Sequence, residues 1–344
     1  MILLPVFISL AAAFLFGIST PLNKALLGDT GPFMLAGLLY AGAALFISPK
    51  IITSGGLSFL SHMDRANRLR LAGSVVAGGV LGPVLLLFAL KGSDASSVSL
   101  WLNLELVFTA LLGRILFRDY LGKLGITGVM LTLAAGLMVT LNYGGAGIPS
   151  AILAAAACFF WALDNHLTAM INDIEPWRST FVKGVAAGAV NISIGVVSGD
   201  ALSAPAGIIY ALVVGGVCYG GSIVLYITGA QKLGATRSHI IFSSAPFFGF
   251  FISAVFLDEK VTLLNISSLA MLAAAVVLIS AEQHSHIHVH EAVEHTHSHD
   301  HNDMHHDHSH KPGEEGTVHT HTHRHEEISH SHRHWPDMHH RHEH

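Results

Sequence analysis

Long apolar runs follow one another from the N-terminus to Ala281, and short polar turns separate them. A helix that crosses a bilayer needs roughly 20 mostly apolar residues, and ten of the runs reach this length. The pattern therefore predicts an all-α integral membrane part of ten transmembrane helices. The first run has no positively charged region before it and no cleavage site after it, so we interpret it as a retained span. The predicted spans lie near 2–22, 32–49, 71–90, 96–117, 122–141, 149–171, 179–198, 206–228, 236–257 and 262–281.

Two very different compositions meet near residue 282. Charged residues make up 12% of the chain, about half of the roughly 25% that is usual in soluble proteins. Of the 26 histidines, all but His62, His166 and His239 lie in the segment 282–344. A segment so poor in apolar residues cannot bury a core, so we predict that it forms a disordered tail.

Histidines alternate with Ser, Thr and acidic residues throughout this tail. Neutral imidazole is a ligand for Zn, Ni, Co and Cu, and a flexible chain can bring three or four imidazoles to one ion. We predict that the tail binds about six such ions and releases them as the imidazoles are protonated below roughly pH 6.5. Histidines interleaved over such a long segment are unlike the short unbroken run of an expression tag. The predicted ligands are His284, His286, His288, His290, His295, His297, His299, His301, His305, His306, His308, His310, His319, His321, His323 and His325.

Positive charges are distributed unevenly between alternate loops. With the N-terminus placed in the cytoplasm, eleven Lys and Arg side chains fall on the cytoplasmic side and three, Lys24, Lys91 and Lys260, on the other. The positive-inside rule derives orientation from such a bias. We therefore predict a multi-pass protein of the plasma or inner membrane, with both termini and hence the tail in the cytoplasm.

The membrane part contains an internal repeat. The segment 89–119 aligns without gaps with 229–259, and each copy ends on an acidic residue. Five spans in each half is an odd number, so the second half must be inverted relative to the first, as in many secondary transporters. The predicted units are a first five-helix repeat, 1–145, a second, 146–281, and the tail, 282–344.

Short motifs recur at equivalent positions of the two halves. The first helix carries Phe16-Gly17 with Lys24 seven positions after the glycine, and Trp161-Ala162 is its counterpart. A second motif occurs once in each half. Its second copy contains Pro246, and Leu106 stands at the equivalent position of the first copy. The two copies of that motif are Ala89-Leu90-Lys91…Ala95-Ser96…Leu104-Glu105…Asp119 and Ala230…Gly234-Ala235-Thr236…Pro246…Asp258-Glu259.

Together these motifs resemble those of the EamA-type transporters of the drug/metabolite transporter superfamily, over residues 5–281. The resemblance implies two five-helix bundles and a secondary carrier that works by alternating access. It leaves the substrate open, because members of the family are linked to amino acids, nucleotide precursors, drugs and other metabolites.

A carboxylate lies midway along the fourth predicted span. A charge at the bilayer centre costs roughly 2.5–3.5 kcal/mol, so such residues are candidates for function. Trp101 and Thr109 lie about one helical turn on either side of Glu105, on the same face. We predict that Glu105 carries a coupling proton or pairs with a cationic substrate; the alternative is a structural hydrogen bond to a neighbouring helix. Asn103 belongs to the same predicted transport pathway.

The sixth predicted span is interrupted by Asp164-Asn165-His166. Asp164 and His166 point about 200° apart on a regular helix, so they cannot both face one cavity. We include both in the predicted pathway, with the alternative that they form an interfacial cluster satisfied by water and by Arg178. His239, at the start of the ninth span, could join His166 and an aspartate in a metal site, or could simply be solvated.

Two further features of the spans have structural interpretations. Lys24 lies near the outer interface and is interpreted as an anchor or an outer gate. Glycines four positions apart, which let helix backbones approach closely in lipid, occur at 78/82, 184/188 and 216/220.

The sequence contains no phosphate-binding loop, redox pair or hydrolase motif, so we predict neither an enzyme nor an ATP-driven pump, and no cofactor for transport. The first hypothesis is a secondary carrier of small metabolites whose tail stores or senses metal. The second is a carrier of a transition-metal cation or chelate (Ni, Co or Zn), and the third a membrane-anchored metal-binding protein. The expected partners are the lipid bilayer and the small-molecule or metal-ion substrate, without nucleic acid; a homodimer is left open.

Overall fold

A computed structural model describes residues 3–117, 122–142, 147–171, 174–233, 238 and 241–281, and in the tail 284–290, 294–300, 318–324 and 328–334. The chain divides into two compact units, a membrane unit that extends to Glu282 and a tail unit, Gln283–Trp335. Each unit is considered by itself.

The membrane unit is built of apolar helices, which we number in chain order. Three of them, α3, α4 and α8, consist of consecutive segments with different helical geometry. A short additional helix, Phe59–His62, precedes α3. The helices are α1 (Leu3–Leu26), α2 (Pro32–Thr53), α3 (Arg65–Ser74, Val75–Leu81 and Gly82–Gly92), α4 (Ala95–Trp101, Leu104–Leu112 and Gly113–Phe117), α5 (Lys123–Asn142), α6 (Ile148–Ala169), α7 (Pro176–Ser198), α8 (Pro205–Val214, Gly215–Gly221 and Ser222–Leu233), α9 (Ala245–Phe256) and α10 (Leu263–Ala281).

Eight of the described helices, α1 to α8, are long and apolar enough to cross a membrane. The helices α9 and α10 are apolar, but their apolar stretches are shorter than those of α1 to α8. Part of the ninth predicted span precedes α9 and lies outside the described residues. The predicted all-α, multi-pass membrane part is therefore confirmed, whereas the full number of ten spans stays a prediction.

The third helix of each half contains the same irregularity. The segments Val75–Leu81 of α3 and Gly215–Gly221 of α8 are both π-helical. When the alignment of the sequence repeat is extended toward the N-terminus, Val75 aligns with Gly215 and Leu81 with Gly221. A π turn widens the helix and frees backbone carbonyl groups from the regular ladder. The structural irregularity thus recurs in register with the sequence repeat.

The second helices of the two halves pack against each other in antiparallel orientation. A Cβ atom added at Gly195 would lie 3.0 Å from the backbone nitrogen of Met34, whereas one added at Gly184 would lie 2.9 Å from the carbonyl oxygen of Tyr40. Residue numbers therefore increase along α2 in the direction in which they decrease along α7. Gly188 lies between these two contacts, so the glycine pair 184/188 allows the close backbone approach that the sequence predicted.

The remaining helix contacts also connect the halves. The helix α1 packs on α8 and α9, and its counterpart α6 packs on α3 and α4; α4 packs on α9, and α5 on α10. The largest fully buried apolar side chains come mainly from α2, α3 and the start of α4, and include Leu35, Leu39, Leu86, Leu87 and Trp101.

The tail unit contains four strands where the sequence predicts disorder. The strand β1 (His284–His290) pairs antiparallel with β4 (Ile328–His334), and β2 (Glu294–Asp300) with β3 (Val318–Arg324). Residues at alternate positions of a strand share one face, and the tail has histidines at alternate positions. The β-branched Ile, Val and Thr between them favour extended backbone, which the composition argument for disorder did not weigh.

Candidate functional site

Helix α4 breaks at Leu102–Asn103, in the middle of the predicted pathway. The amide nitrogen of the Asn103 side chain donates to the carbonyl oxygen of Leu100 at 3.2 Å. The thiol of Cys158 on α6 lies 3.7 and 3.6 Å from the carbonyl oxygens of Trp101 and Leu102. These groups satisfy carbonyls that the break removes from the helix ladder. The helix breaks even though Leu106 replaces the proline of the motif.

The break gives Trp101 and Glu105 different neighbours. The indole nitrogen of Trp101, a buried residue, donates to the carbonyl oxygen of Gly136 on α5 at 3.2 Å. Glu105 faces α6, where Nδ2 of Asn165 donates to its Oε1 at 2.8 Å. The structure thus directs Trp101 to α5 and Glu105 to α6, whereas the sequence predicted one common face on an unbroken helix.

Asp164 on α6 forms a salt bridge with Lys183 on α7. Nζ of Lys183 lies 2.7 Å from each carboxylate oxygen. The hydroxyl of Ser74 on α3 donates to Oδ1 at 2.5 Å, and that of Thr168 donates to the same oxygen at 3.1 Å. A Cβ atom added at Gly78 would overlap the carboxylate, so the absence of a side chain there makes room for Asp164. The salt bridge therefore joins α3, α6 and α7.

Arg178, which the sequence offered as a partner for Asp164, has other partners. Its Nε lies 2.7 Å from Oε2 of Glu175, and its NH2 group donates to the carbonyl oxygen of Ser54 at 3.0 Å. Lys183 is a site residue that the sequence did not predict. A single lysine inside the seventh predicted span, near the same membrane face as Asp164, was the available signal.

His166 is buried, at 3% exposure, and lies against the backbone of Thr109 on α4. Asp164 faces α3 and α7 instead, so the two residues diverge as the helical geometry requires. His239 lies outside the described residues. Among the residues that the structure describes, no group of three or more His, Cys, Asp or Glu is arranged to hold a metal ion, and the metal site of His166 and His239 stays a prediction.

The π-helical segment of α3 forms a second polar centre, which the sequence did not predict. The carbonyl oxygen of Gly78 accepts hydrogen bonds from the hydroxyl of Tyr40 at 2.5 Å and from the indole nitrogen of Trp161 at 3.2 Å. The carbonyl oxygen of Gly79 accepts from Nδ2 of Asn191 at 3.0 Å. Donors from α2, α6 and α7 therefore satisfy carbonyls that the π turn frees. Glycine clusters in the third span of each half were the sequence signal.

Aromatic rings meet where the two halves join. The ring centroid of Phe16 on α1 lies 6.1 Å from that of Trp161 on α6 and 6.0 Å from that of Tyr219 on α8. It lies 5.5 Å from Phe242, whose ring is 5.0 Å from that of Tyr226 on α8. Phe16 and Trp161 hold equivalent motif positions in the first helix of each half, so the repeat brings its own counterparts into contact.

Two other motif residues connect helix ends. Nζ of Lys24 donates to the carbonyl oxygens of Leu90 at 2.6 Å and of Ser93 at 3.0 Å, which ties α1 to the end of α3. Both carboxylate oxygens of Glu259, after α9, accept from backbone nitrogens at the start of α4, those of Ala95 and Ser96, at 2.7 Å each. The acidic ending of the second repeat thus caps a helix of the first.

The predicted metal ligands of the tail fall into two groups. Those of 284–290, 295–299 and 319–323 lie in described strands, where the register pairs His286 with His332 and His297 with His321. The others lie outside the described residues; they are His301, His305, His306, His308, His310 and His325.

Comparisons with known proteins agree with this architecture. The EamA-like transporter family matches residues 3–141 and again 148–281. A protein of Methanothermobacter thermautotrophicus described as an uncharacterized transporter is 27% identical over 292 residues, which are 78% of this chain and 84% of the relative. A crystal structure of another protein superposes with a TM-score of 0.61 and 14% identity, covering 80% of this chain and 95% of that one, a likeness of fold alone. Because the family match extends over both halves of the membrane unit, the chain belongs to the EamA-like transporter family.

Proposed function

We propose that this membrane transporter is a secondary carrier of small metabolites that works by alternating access. The observation that carries the proposal is Glu105, a half-buried residue halfway along α4 whose carboxylate accepts a hydrogen bond from the amide of Asn165 at 2.8 Å. In the part of the chain that the structure describes, no Lys, Arg or His forms a salt bridge with it. A carboxylate in such a place can accept a coupling proton or a cationic group of a substrate.

Contacts between the two halves at both ends of the bundle support the alternating mechanism. Toward one end, Ser74 of the first half donates to Asp164 of the second. At the other end, Oδ2 of Asp200 accepts from the backbone nitrogens of Phe33 at 2.8 Å and Met34 at 3.1 Å. We infer that each end opens by breaking its own set of contacts while the other set remains closed.

The distribution of charge supports cytoplasmic termini in the plasma or inner membrane. Cations and aromatic rings cluster at the membrane face that bears most Lys and Arg residues. The guanidinium of Arg178 lies over the rings of Phe59 at 5.2 Å and Trp177 at 5.0 Å, and Nζ of Lys50 lies 5.7 Å from the ring of Trp177. Such belts are typical of a membrane interface. Protease added only to the outside of intact cells is expected to leave the tail intact, and cleavage there would contradict this orientation.

We propose that the tail binds Zn, Ni, Co or Cu as a store or sensor and that metal is not the cargo. The histidine content and the cross-strand register of histidines support binding. An organic cargo is favoured because the family that the membrane part resembles is linked to amino acids, nucleotide precursors, drugs and other metabolites. On this proposal transport needs neither a cofactor nor a catalytic residue.

Flux through proteoliposomes tests the transport function. The purified full-length chain is reconstituted and counterflow is measured for a panel of amino acids, amines and nucleotide precursors. We expect counterflow of at least one compound and a loss of about tenfold or more in Glu105→Gln. The exposed Glu175→Gln, which also removes one carboxylate charge, should match the wild type. Absence of counterflow for every compound would contradict the proposal. So would full counterflow together with full accumulation driven by a proton gradient in Glu105→Gln, because a carboxylate that carries the coupling proton is needed for accumulation even where counterflow persists.

A further inference from the structure

We propose that the substrate is an organic cation with an aromatic group, and that it binds at one series of contacting side chains between the two halves. This inference rests on the proposed transport function and names the class of its substrate. We call the arrangement the central site, and its six residues are Glu105, Asn165, Trp161, Phe16, Phe242 and Tyr226.

The contacts already described connect these residues in series. Asn165 donates to Glu105 at 2.8 Å, and Trp161 lies one helical turn before Asn165 on the same face of α6. From Trp161 the series of ring contacts continues through Phe16.

The series then continues to the other half of the bundle. Phe16 contacts Phe242, and Phe242 contacts Tyr226. Through Asn165 and Trp161 of α6, the carboxylate is thus connected to a series of four aromatic side chains from α1, α6, α8 and the segment before α9.

The side chains of the central site differ in burial. Phe16, Phe242, Tyr226, Glu105 and Asn165 are half-buried. Trp161 is 8% exposed, and Tyr219, which contacts Phe16, is 4% exposed. The aromatic series is thus most deeply buried at Trp161 and Tyr219.

The charge of the central site determines which ligand fits it. In α6, Asp164 is neutralised by Lys183 at 2.7 Å, whereas Glu105 has an amide and no described cation beside it. An anionic ligand would meet a like charge in a medium of low dielectric, which is costly. A cation would pair with Glu105 and at the same time interact favourably with the faces of the aromatic rings. The aromatic series also favours a flat apolar group on the ligand.

Three probes that differ only in their end group test the charge preference. Tyramine, tyrosol and 3-(4-hydroxyphenyl)propionate share a phenol ring and a two-carbon chain, and end in an ammonium, a hydroxyl and a carboxylate. Binding is measured by calorimetry on the full-length chain in lipid nanodiscs. We expect tyramine to bind about tenfold or more tightly than either of the others. Equal binding of the three probes would overturn the proposal. It would also be overturned if neither tyramine nor a second aromatic cation, phenyltrimethylammonium, binds.

Matched variants then assign the preference to the central site. Glu105→Gln should weaken tyramine binding by roughly tenfold while leaving tyrosol binding within about twofold. Phe16→Leu, which keeps an apolar side chain but removes the ring, should weaken tyramine binding by roughly three- to tenfold. Phe251→Leu is the control, because Phe251 contacts the ring of Phe250, outside the central site. If tyramine binds both Glu105→Gln and Phe16→Leu as tightly as the wild type, the ligand lies elsewhere and the proposal is overturned.

The result is separable from the proposed transport function. Selective tyramine binding without any counterflow in proteoliposomes would contradict transport and leave the central site intact. Counterflow of neutral or anionic compounds that is as fast as that of amines would support transport and overturn the cation preference. The charge series on the wild-type chain also remains informative if a variant fails to fold.

Discussion

The carboxylate of Asp164 holds Nζ of Lys183 at 2.7 Å from each oxygen, while the next residue of α6, Asn165, holds Glu105 of α4. Neighbouring residues of one helix thus face two polar sites of opposite character. The first is a closed ion pair that joins three helices. The second is a carboxylate without a described cation. We infer that the first stabilises the bundle and that the second is left for a ligand.

Asp164→Asn is expected to destabilise the protein by about 3 kcal/mol, because it leaves the ammonium of Lys183 buried without its charge partner. The side chains of the pair are only 12% and 13% exposed. The loss should appear as a lower midpoint of unfolding in a titration with SDS in mixed micelles. The double variant Asp164→Asn/Lys183→Met leaves no unpaired charge and should recover part of the loss.

The pair of Arg178 and Glu175 provides the control for this prediction. The side chain of Glu175 is 57% exposed, and surface ion pairs contribute at most about 1 kcal/mol. Glu175→Gln should therefore change the midpoint little. Equal losses in Asp164→Asn and Glu175→Gln would show that burial of the Asp164–Lys183 pair has no energetic consequence.

Gly78→Ala is expected to cost about 1–3 kcal/mol, since the added methyl group overlaps the carboxylate of Asp164 and must displace it. Gly216 in the π-helical segment of α8 is the control position, because the nearest atom to a Cβ added there would lie at 3.4 Å, an ordinary contact distance. Gly216→Ala should leave stability unchanged or slightly higher, as alanine restricts the unfolded chain. The same SDS titration compares the two, and a tolerated Gly78→Ala would contradict the packing described around Asp164.

Glu259→Ala should destabilise the start of α4 by about 1 kcal/mol, because the backbone nitrogens of Ala95 and Ser96 lose their acceptor. Glu259→Gln retains one acceptor oxygen and should fall between alanine and the wild type. Hydrogen exchange of the amides at 95–98 is the direct measurement, with faster exchange expected in Glu259→Ala.

Asp258→Asn is the neutral control for this helix cap. Asp258 has a positive φ of 51°, a backbone conformation that asparagine also tolerates. Exchange at the start of α4 should be the same as in the wild type. If Asp258→Asn and Glu259→Ala accelerate exchange equally, the effect belongs to the loop and not to the carboxylate contact.

Metal binding by the tail should depend steeply on pH. Protonation removes the lone pair that binds metal, so affinity is present above the imidazole pKa of about 6.5 and falls as the pH decreases through it. We expect about six Zn ions for each full-length chain at about pH 7.5 and almost none at about pH 5. Elemental analysis after dialysis measures the ratio. A chain that ends at Ala281 should lose the bound metal but keep its flux, and metal retained by it would contradict a tail site.

Much of the membrane unit follows from properties that are local in the sequence. Span length and polarity identify α1 to α8. The alignment of 89–119 with 229–259, once extended toward the N-terminus, also places the π-helical segments Val75–Leu81 and Gly215–Gly221 in register, although the sequence did not predict their geometry. The inversion of the second half stays a prediction, and the antiparallel packing of α2 and α7 accords with it. These features need only the apolar requirement of the bilayer and the counting of spans.

Contacts within the site depended on the tertiary structure, because hydropathy does not specify which face of a helix meets which neighbour. The break at Leu102–Asn103 turned Trp101 toward α5, although the sequence placed it beside Glu105. Asp164 pairs with Lys183 and not with Arg178, since the packing of α6 on α3 and α7 decides which cation can reach it. The sequence by itself thus determined a membrane protein of two related halves with a histidine-rich tail. Only the packing of the helices decided which carboxylate is neutralised and which one stays open.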